Sequence, residues 1–151
     1  MTPSRLTGAF FALVLAAFAA WLGISIGDRS YPTQVESAKL LTPHVKPGGE
    51  LLTERTVYRE RLCHTTIERM MFDSRDVRFD RVEDGLGTIE YPNDSGPLGR
   101  DNFVGKQTVP ATMAPGPARY VALVCYRCSL IQWLSPVCEA AREQRFVVDT
   151  R

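Results

Sequence analysis

The sequence predicts a mainly β protein, a two-sheet sandwich of about seven to eight strands preceded by one N-terminal transmembrane helix. Three observations predict this fold class. Residues 6–27 contain no charged side chain. Beyond them, turn signals separate short segments rich in β-branched and aromatic residues. Residues 118–127, ARYVALVCYR, are apolar on both alternating sets, which is typical of a central strand buried on two faces.

The N-terminal helix is predicted from length and apolarity. As a helix, the 22 residues of 6–27 would extend about 33 Å, enough to cross a hydrocarbon core of about 30 Å. Ala17-Phe18-Ala19 also matches a signal-peptide cleavage site, so a secreted β domain with a cleaved signal peptide is the alternative. The apolar run continues past that site through Trp21 and Ile24, which favours an uncleaved signal anchor.

Charge and composition orient this helix. Arg5 is the sole ionised side chain before Asp28, so the positive-inside rule places residues 1–5 in the cytoplasm and the rest of the chain outside. Four cysteines fit an oxidising compartment. The 18 basic residues include only three Lys, a bias typical of GC-rich bacteria and their phages. We therefore expect a single-pass protein of the bacterial inner membrane with a periplasmic C-terminal domain.

The chain beyond residue 27 carries no net charge. Removing Arg5 from the 18 basic residues leaves 17 basic against 17 acidic side chains. A nucleic-acid-binding domain needs a surplus of Lys and Arg, and so does a polybasic membrane-surface patch. The expected partners are therefore the lipid bilayer around residues 6–27 and another envelope protein, with no nucleic acid and no evident small-molecule substrate.

After the helix, residues 28–49 are predicted to form a juxtamembrane spacer with a first edge strand, and residues 50–151 an extracytoplasmic β-sandwich domain. Between Leu51 and Phe72, where Gly and Pro are absent, we expect one long strand or two strands around Cys63. Residues 129–143 are predicted to form a long loop with a helical turn near Glu139–Arg142. The other predicted strands are Val77–Val82, Gly87–Tyr91, Phe103–Val109, Ala118–Arg127 and Arg145–Asp149.

The order of loop and strand near the C-terminus resembles that of immunoglobulin-like sandwiches. A rigid loop, residues 110–117, contains three prolines and precedes the Tyr-bearing central strand at 118–127. The resemblance is architectural and covers about residues 36–150. It implies a fold and leaves the function open.

The four cysteines, Cys63, Cys125, Cys128 and Cys138, are predicted to form disulfides. Cys125 and Cys128 would lie on opposite faces of a regular strand, so a bond between them would be strained. The preferred pairing joins Cys128 to Cys138, closing the loop 129–137, and Cys63 to Cys125 across the core. Pairings that exchange the partner of Cys63 stay open.

A thiol- or metal-dependent protein is the alternative for the same residues. Cys125 and Cys128 have zinc-ligand spacing, and Cys63 with His64 could complete a tetrahedral set, although structural zinc sites usually draw on two tight pairs. A Cys-x-x-Cys redox site needs its first thiol at a helix N-terminus, whereas Cys125 ends a predicted strand. No nucleophile motif accompanies His44 or His64. We expect no catalytic residue, cofactor or metal site, and no enzyme.

A partner-binding surface is predicted at Arg127, Leu130, Ile131, Trp133 and Leu134. Four large apolar residues stand in a segment that fits neither sheet, and exposed apolar clusters mark interfaces. The alternative is a loop folded onto the sandwich as a lid of its core.

The region from Glu54 to Glu83 alternates acidic residues with arginines. This pattern predicts cross-strand ion pairs on a solvent-facing sheet surface. The predicted function is accordingly a membrane-anchored, non-catalytic interaction or structural module of a bacterial or phage-encoded envelope.

Overall fold

Strands, paired antiparallel with one exception, account for about half of the described chain, and the protein is mainly β, as predicted. The computed structural model describes residues 3–27, 30–92, 96–141 and 143–150. The elements in chain order are α1 (Pro3–Gly27), β1 (Thr33–Leu40), β2 (His44–Val45), β3 (Glu50–Arg59), β4 (His64–Phe72), β5 (Arg78–Phe79), a 3-10 turn (Val82–Asp84), β6 (Gly87–Tyr91), β7 (Gly99–Thr108), β8 (Gly116–Arg127), α2 (Leu130–Leu134), β9 (Val137–Ala140) and β10 (Gln144–Val148).

Helix α1 carries the uncharged segment, and its described side chains, from residue 8 to residue 24, are almost all exposed. Phe10, Leu13 and Leu15 expose 65%, 71% and 66% of their surfaces. Among the described residues, no helix combines the length and the apolarity that crossing a membrane requires. The structure therefore contains the predicted N-terminal helix, while this finding gives no support to its transmembrane character.

Three strands form the first sheet, in the order β1-β3-β7. Both pairings are antiparallel, with Thr33 opposite Arg59 and Arg59 opposite Gly99. Side chains alternate along β3, so every second residue turns to the second sheet. Its buried residues are Leu51, Thr53, Val57 and Arg59.

The second sheet has the order β2-β10-β8-β4-β5, with β6 also paired to β4 and β9 also paired to β8. The central pair β4 and β8 runs antiparallel from His64 opposite Arg127 to Phe72 opposite Arg119. One face of β8 is buried through Ala118, Tyr120, Ala122 and Tyr126, and the other face is only half-buried. The predicted burial of this strand on two faces is therefore correct for one face.

The sandwich has two unlike ends. At one, which we call the helix end, β1 begins at Thr33, β3 ends at Arg59 and β4 begins at His64. The apolar core lies toward the opposite, far end. Its buried members are Val45, Leu51, Met71, Leu86, Val109, Met113, Ala118, Tyr120, Ala122, Phe146 and Val148.

Most of the predicted strands are present. Two strands flank Cys63, β6 has its predicted bounds, and β7 begins at Gly99 instead of Phe103. Within the described ranges β2 and β9 are additional, so ten strands replace the predicted seven to eight. This sheet order does not by itself establish the immunoglobulin-like arrangement.

The segment 129–143 differs most from its prediction. The helix lies at Leu130–Leu134 and not near Glu139–Arg142, because the Ser129 side chain caps it by accepting from the Gln132 N–H. Glu139 and Ala140, expected to belong to the helical turn, belong to strand β9, and Arg142 lies outside the described residues.

Candidate functional site

Two disulfides hold β8 to both of its neighbours near the helix end. Cys63 is bonded to Cys128 and Cys125 to Cys138, and none of the four cysteines is free. The preferred pairing, Cys128 with Cys138 and Cys63 with Cys125, is therefore wrong. The pairing that exchanges the partner of Cys63 is the one observed.

Strand register explains this connectivity. His64 stands opposite Arg127 in the antiparallel β4–β8 pair, so one more step places Cys63 opposite Cys128. On the other side of β8, Cys125 stands directly opposite Cys138 in β9. Each disulfide thus joins adjacent strands, and the bonds lie on opposite faces of the sheet, as expected for positions 125 and 128.

In this bonded state the four sulfur atoms carry no thiolate that could bind a metal ion. Cys125 and Cys128 are bonded to other cysteines and not to each other, as the two sulfur atoms of an oxidised Cys-x-x-Cys redox site would be. Within the described residues, no group of three His, Cys, Asp or Glu side chains is arranged to hold a metal ion. His64, the fourth expected ligand, packs against Trp133 with the two rings tilted by 40°.

Helix α2 presents an exposed apolar surface and is held in place by a buried polar side chain. The buried Gln132 side chain accepts a 2.7 Å hydrogen bond from the Cys128 N–H, which fixes the helix beside the disulfide. Leu130, Trp133 and Leu134 expose 77%, 56% and 91% of their surfaces. These three residues, which we call the α2 patch, do not form a lid on the core, whereas Ile131 is partly buried.

Within the α2 patch, Trp133 contacts two neighbouring side chains. Its ring centroid lies 5.0 Å from that of His64 and 5.6 Å from the guanidinium carbon of Arg127. Arg127 in turn donates a 2.8 Å hydrogen bond to the Thr66 hydroxyl. A cation over an aromatic face is attractive, so these contacts restrain the indole while leaving one side of it exposed.

The chain enters the sandwich at the same end. Arg61 donates through Nη2 to the carbonyl and hydroxyl oxygens of Ser30, and the Glu60 N–H donates to the Pro32 carbonyl at 2.8 Å. Three residue steps separate Ser30 from Gly27, the last residue of α1, a reach of about 11 Å at most. The α2 patch and the attachment point of α1 therefore share one end of the sandwich.

Arginines occupy the interior between the helix end and the apolar core. Arg55, Arg59 and Arg69 lie on the strand faces that turn toward the opposite sheet. Arg59 is 4% exposed and forms a 2.7 Å ion pair with Asp101. Solvent-facing ion pairs were predicted for this stretch. That prediction is correct for Arg78 with Glu68, at 3.0 Å, and wrong for the three interior arginines.

Two cavities adjoin these arginines between the sheets. One of about 250 Å³ extends from β1 toward β9, and one of about 140 Å³ extends from β7 toward β6. Arg55, Ile67 and Phe103 line both. The sequence analysis did not predict this region. The alternation along β3 does indicate that Arg55 and Arg59 face inward, since they continue the buried series that begins at Leu51.

A third depression, of about 640 Å³, lies at the far end between β2, β8 and β10. Several of its polar side chains have ion-pair or hydrogen-bond partners: His44 with Asp149, Arg119 with Asp76 and Arg145 with Glu143. These pairs are exposed, and exposed pairs of this kind contribute little energy. The depression therefore offers no arrangement of reactive groups.

Comparison with known proteins gives no family. No protein-family model matches the sequence, and no curated protein matches it. Among solved structures, the chain is similar to Spo0M, a sporulation control protein from Bacillus subtilis, with 12% identity and a TM-score of 0.41. The match covers 81% of this chain and 51% of Spo0M, so the chain spans about half the length of that protein. Function must therefore be inferred from the residues themselves.

Proposed function

We propose that the protein is a membrane-tethered, non-catalytic interaction module of a bacterial or phage-encoded envelope. Its partner is the membrane-proximal part of another envelope protein, bound through the α2 patch. The observation that carries this proposal is the exposure of Leu130, Trp133 and Leu134 on a short helix fixed beside two disulfides. Ordering such a surface before binding lowers the entropic cost of association.

The chemistry of the α2 patch favours a protein partner over lipid. Protein interfaces concentrate binding energy in a few Trp, Tyr and Arg residues seated among apolar contacts. Trp133, packed against His64 and flanked by Arg127, fits this description. A membrane surface would be better served by excess Lys and Arg, and the domain beyond residue 27 has none in excess.

Attachment of the chain to a membrane through α1 would restrict the partner to proteins near that membrane. Residues 6–27 are free of charge, and the apolar side chains that α1 exposes would be costly in water. We propose that α1 anchors the chain in the inner membrane, with the sandwich in the periplasm. Since α1 joins the sandwich at the end that carries the α2 patch, the patch is held close to the bilayer.

An immunoglobulin-like sandwich, common among cell-surface domains, is the fold that we propose for this domain.

The α2 patch is testable by photo-cross-linking in native membranes. A photo-reactive amino acid replacing Leu134 should give one discrete protein adduct, because this side chain is 91% exposed within the patch. The matched control replaces Val82, which is 76% exposed near the far end and should give no such adduct. Adding Trp133→Ala should lower the yield at position 134 by about ten-fold or more, as expected for a hot-spot residue.

Binding must then be reproduced with purified proteins. The partner from the adduct should bind the full chain in detergent, and binding to the Trp133→Ala variant should be lost while its melting temperature stays near that of the wild type. Adducts with lipid alone, equal adducts at both positions, or unfolding of the Trp133→Ala variant would each overturn the assignment of the α2 patch to a protein partner.

Membrane attachment has its own test. Ala16→Arg places a charge at the middle of residues 6–27, where an arginine costs about 2.5–3.5 kcal/mol of insertion free energy. We expect the full chain to move from the membrane pellet to the supernatant after alkaline extraction, whereas Ser4→Arg, outside the apolar run, should stay in the pellet. Equal fractionation of the two variants would contradict the anchor. A mature wild-type chain beginning at Ala20 would instead establish the secreted alternative.

A further inference from the structure

Among the described residues, the interior between the helix end and the apolar core carries more positive than negative charge, with Arg55, Arg59 and Arg69 against Asp101 and Glu139. Arg59 is matched by Asp101. The hydrogen-bonding partners of Arg55 and Arg69 are neutral: the Tyr120 hydroxyl for Arg55, and the Gln107 side chain, at 2.9 Å, for Arg69. Both arginines also have a buried Nε without a hydrogen-bond partner. A partly buried cation without a counter-charge is costly, so this arrangement favours binding of an anion.

The available space lies directly against these groups. Arg55 lines both interior cavities, and Arg69 and Tyr120 line the smaller one. The rest of the larger cavity is mostly apolar, with walls that include Val57, Ile67 and Val124. At about 250 Å³, it is smaller than the roughly 300–1,000 Å³ of pockets for drug-sized ligands. It therefore suits a small ligand with one polar and one apolar end.

Burial raises the pKa of two side chains that line these cavities, Glu139 and Tyr120. Burial raises the pKa of the Glu139 carboxyl, the only acidic side chain among the described residues lining the larger cavity, against the opposing effect of the Tyr126 hydroxyl. Burial also raises the pKa of the Tyr120 hydroxyl, and the opposing effects of Arg55 and Arg69 are smaller. Tyr120 therefore keeps its proton at neutral pH and is available as a further donor.

We propose that the space between the sheets is a binding site for a small amphiphilic carboxylate. The carboxylate lies between Arg55 and Arg69, and a short alkyl chain extends along Ile67 and Val57 into the larger cavity. Two guanidinium groups and one hydroxyl supply charge-assisted hydrogen bonds, which are stronger than neutral ones. This site is separate from the α2 patch and does not depend on the proposed function.

Octanoate is the probe for this site. Calorimetric titration of the full chain in non-ionic detergent at pH 7, with the heat of octanoate entering micelles subtracted, should show one bound octanoate per chain, together with a raised melting temperature. Octan-1-ol has the alkyl chain without the charge, and inorganic phosphate has the charge without the chain. Each should bind at least about ten-fold more weakly, since each lacks one of the two contacts.

Substitutions then locate the site. Arg55→Met and Arg69→Met should each weaken octanoate binding by about ten-fold or more, whereas Arg100→Met, which removes an exposed arginine from the outer face of β7, should leave it unchanged. Without ligand, the two interior variants should melt no lower than the wild type, because each loses an unmatched charge. If one fails to fold, the other variant decides. Unchanged octanoate affinity in the folded interior variants, or equal binding of octanol or phosphate, would overturn the proposal.

Discussion

Removing the Cys63–Cys128 disulfide is expected to lower the free energy of unfolding by about 4 kcal/mol, more than removing the second bridge. The bond closes a sequence separation of 65 residues, whereas Cys125–Cys138 closes one of 13. In the chain-entropy account, a cross-link destabilises the unfolded state by an amount that grows with the logarithm of the loop length. The shorter bridge should therefore contribute about 3 kcal/mol.

The comparison uses two matched variants, Cys63→Ala/Cys128→Ala and Cys125→Ala/Cys138→Ala. Urea unfolding of each full chain in non-ionic detergent, followed by the β-sheet circular dichroism signal, gives the two midpoints. With a slope of about 2 kcal/mol per molar urea, the first variant should unfold about 2 M earlier than the wild type. A larger loss from the 125–138 variant, or no loss from either, would contradict the expected contribution of the long loop.

Tryptic digestion without reduction checks the pairing itself. The observed connectivity joins peptides 62–69, 120–127 and 128–142 into one species, because the last peptide contains both Cys128 and Cys138. The pairing preferred from sequence would leave 128–142 closed on itself and separate from the other two. A further cut after Trp133 should yield 62–69 bound to 128–133, which distinguishes the remaining arrangement, in which Cys63 binds Cys138.

The disulfide pairing could be predicted from the sequence only in part. Alternation along β8 correctly placed Cys125 and Cys128 on opposite faces, but choosing their partners required the neighbouring strands. Strand β9, Val137–Ala140, has four residues and takes its extended form from pairing with β8, a non-local contact that no local pattern encodes. Since β9 was predicted as loop, Cys138 was assigned to the wrong partner.

The interior arginines show a different limit. The alternation that buries Leu51 and Val57 also turns Arg55 and Arg59 inward, so this placement could have been predicted from period alone. The expectation that arginines face solvent outweighed it. The ion pair between Arg59 and Asp101 joins residues of two strands distant in the sequence, and local residue patterns do not reveal such a match.

The α2 patch could be predicted from the sequence in part. Its residues were predicted as a binding surface, but sequence could not choose between exposure and a lid on the core. In the structure, the buried Gln132 side chain turns the polar side of helix α2 inward, so the α2 patch is exposed and does not cover the core. A glutamine in an apolar run gives little advance indication of such a role.

Replacing Asp73 by alanine is expected to cost about 3 kcal/mol, the second large effect on stability. Its side chain is fully buried and accepts from the N–H groups of Arg75, Val77 and Ala114, at 2.8, 3.1 and 3.3 Å. Alanine leaves these donors without their acceptor and releases the loop around Ala114 from the turn after β4. Arg75→Met is the control: it removes only an arginine that is 64% exposed, and should cost about 1 kcal/mol or less.

The pH dependence of Asp73→Asn separates the charge of this residue from its shape. Burial works to raise the pKa of the Asp73 carboxyl, but the hydrogen bonds from Val77, Arg75 and Ala114 outweigh it and hold the pKa below its ordinary value. As the pH falls, the Asp73 carboxylate therefore becomes protonated in the unfolded chain before it does in the folded chain. The stabilisation by this carboxylate is complete above about pH 4 and is lost as the pH falls through the pKa of the folded state. The difference in urea midpoint between wild type and Asp73→Asn should be constant from pH 7 to about pH 5 and shrink below pH 4. A difference that stayed constant into strong acid would mean that the carboxylate charge does not stabilise this turn.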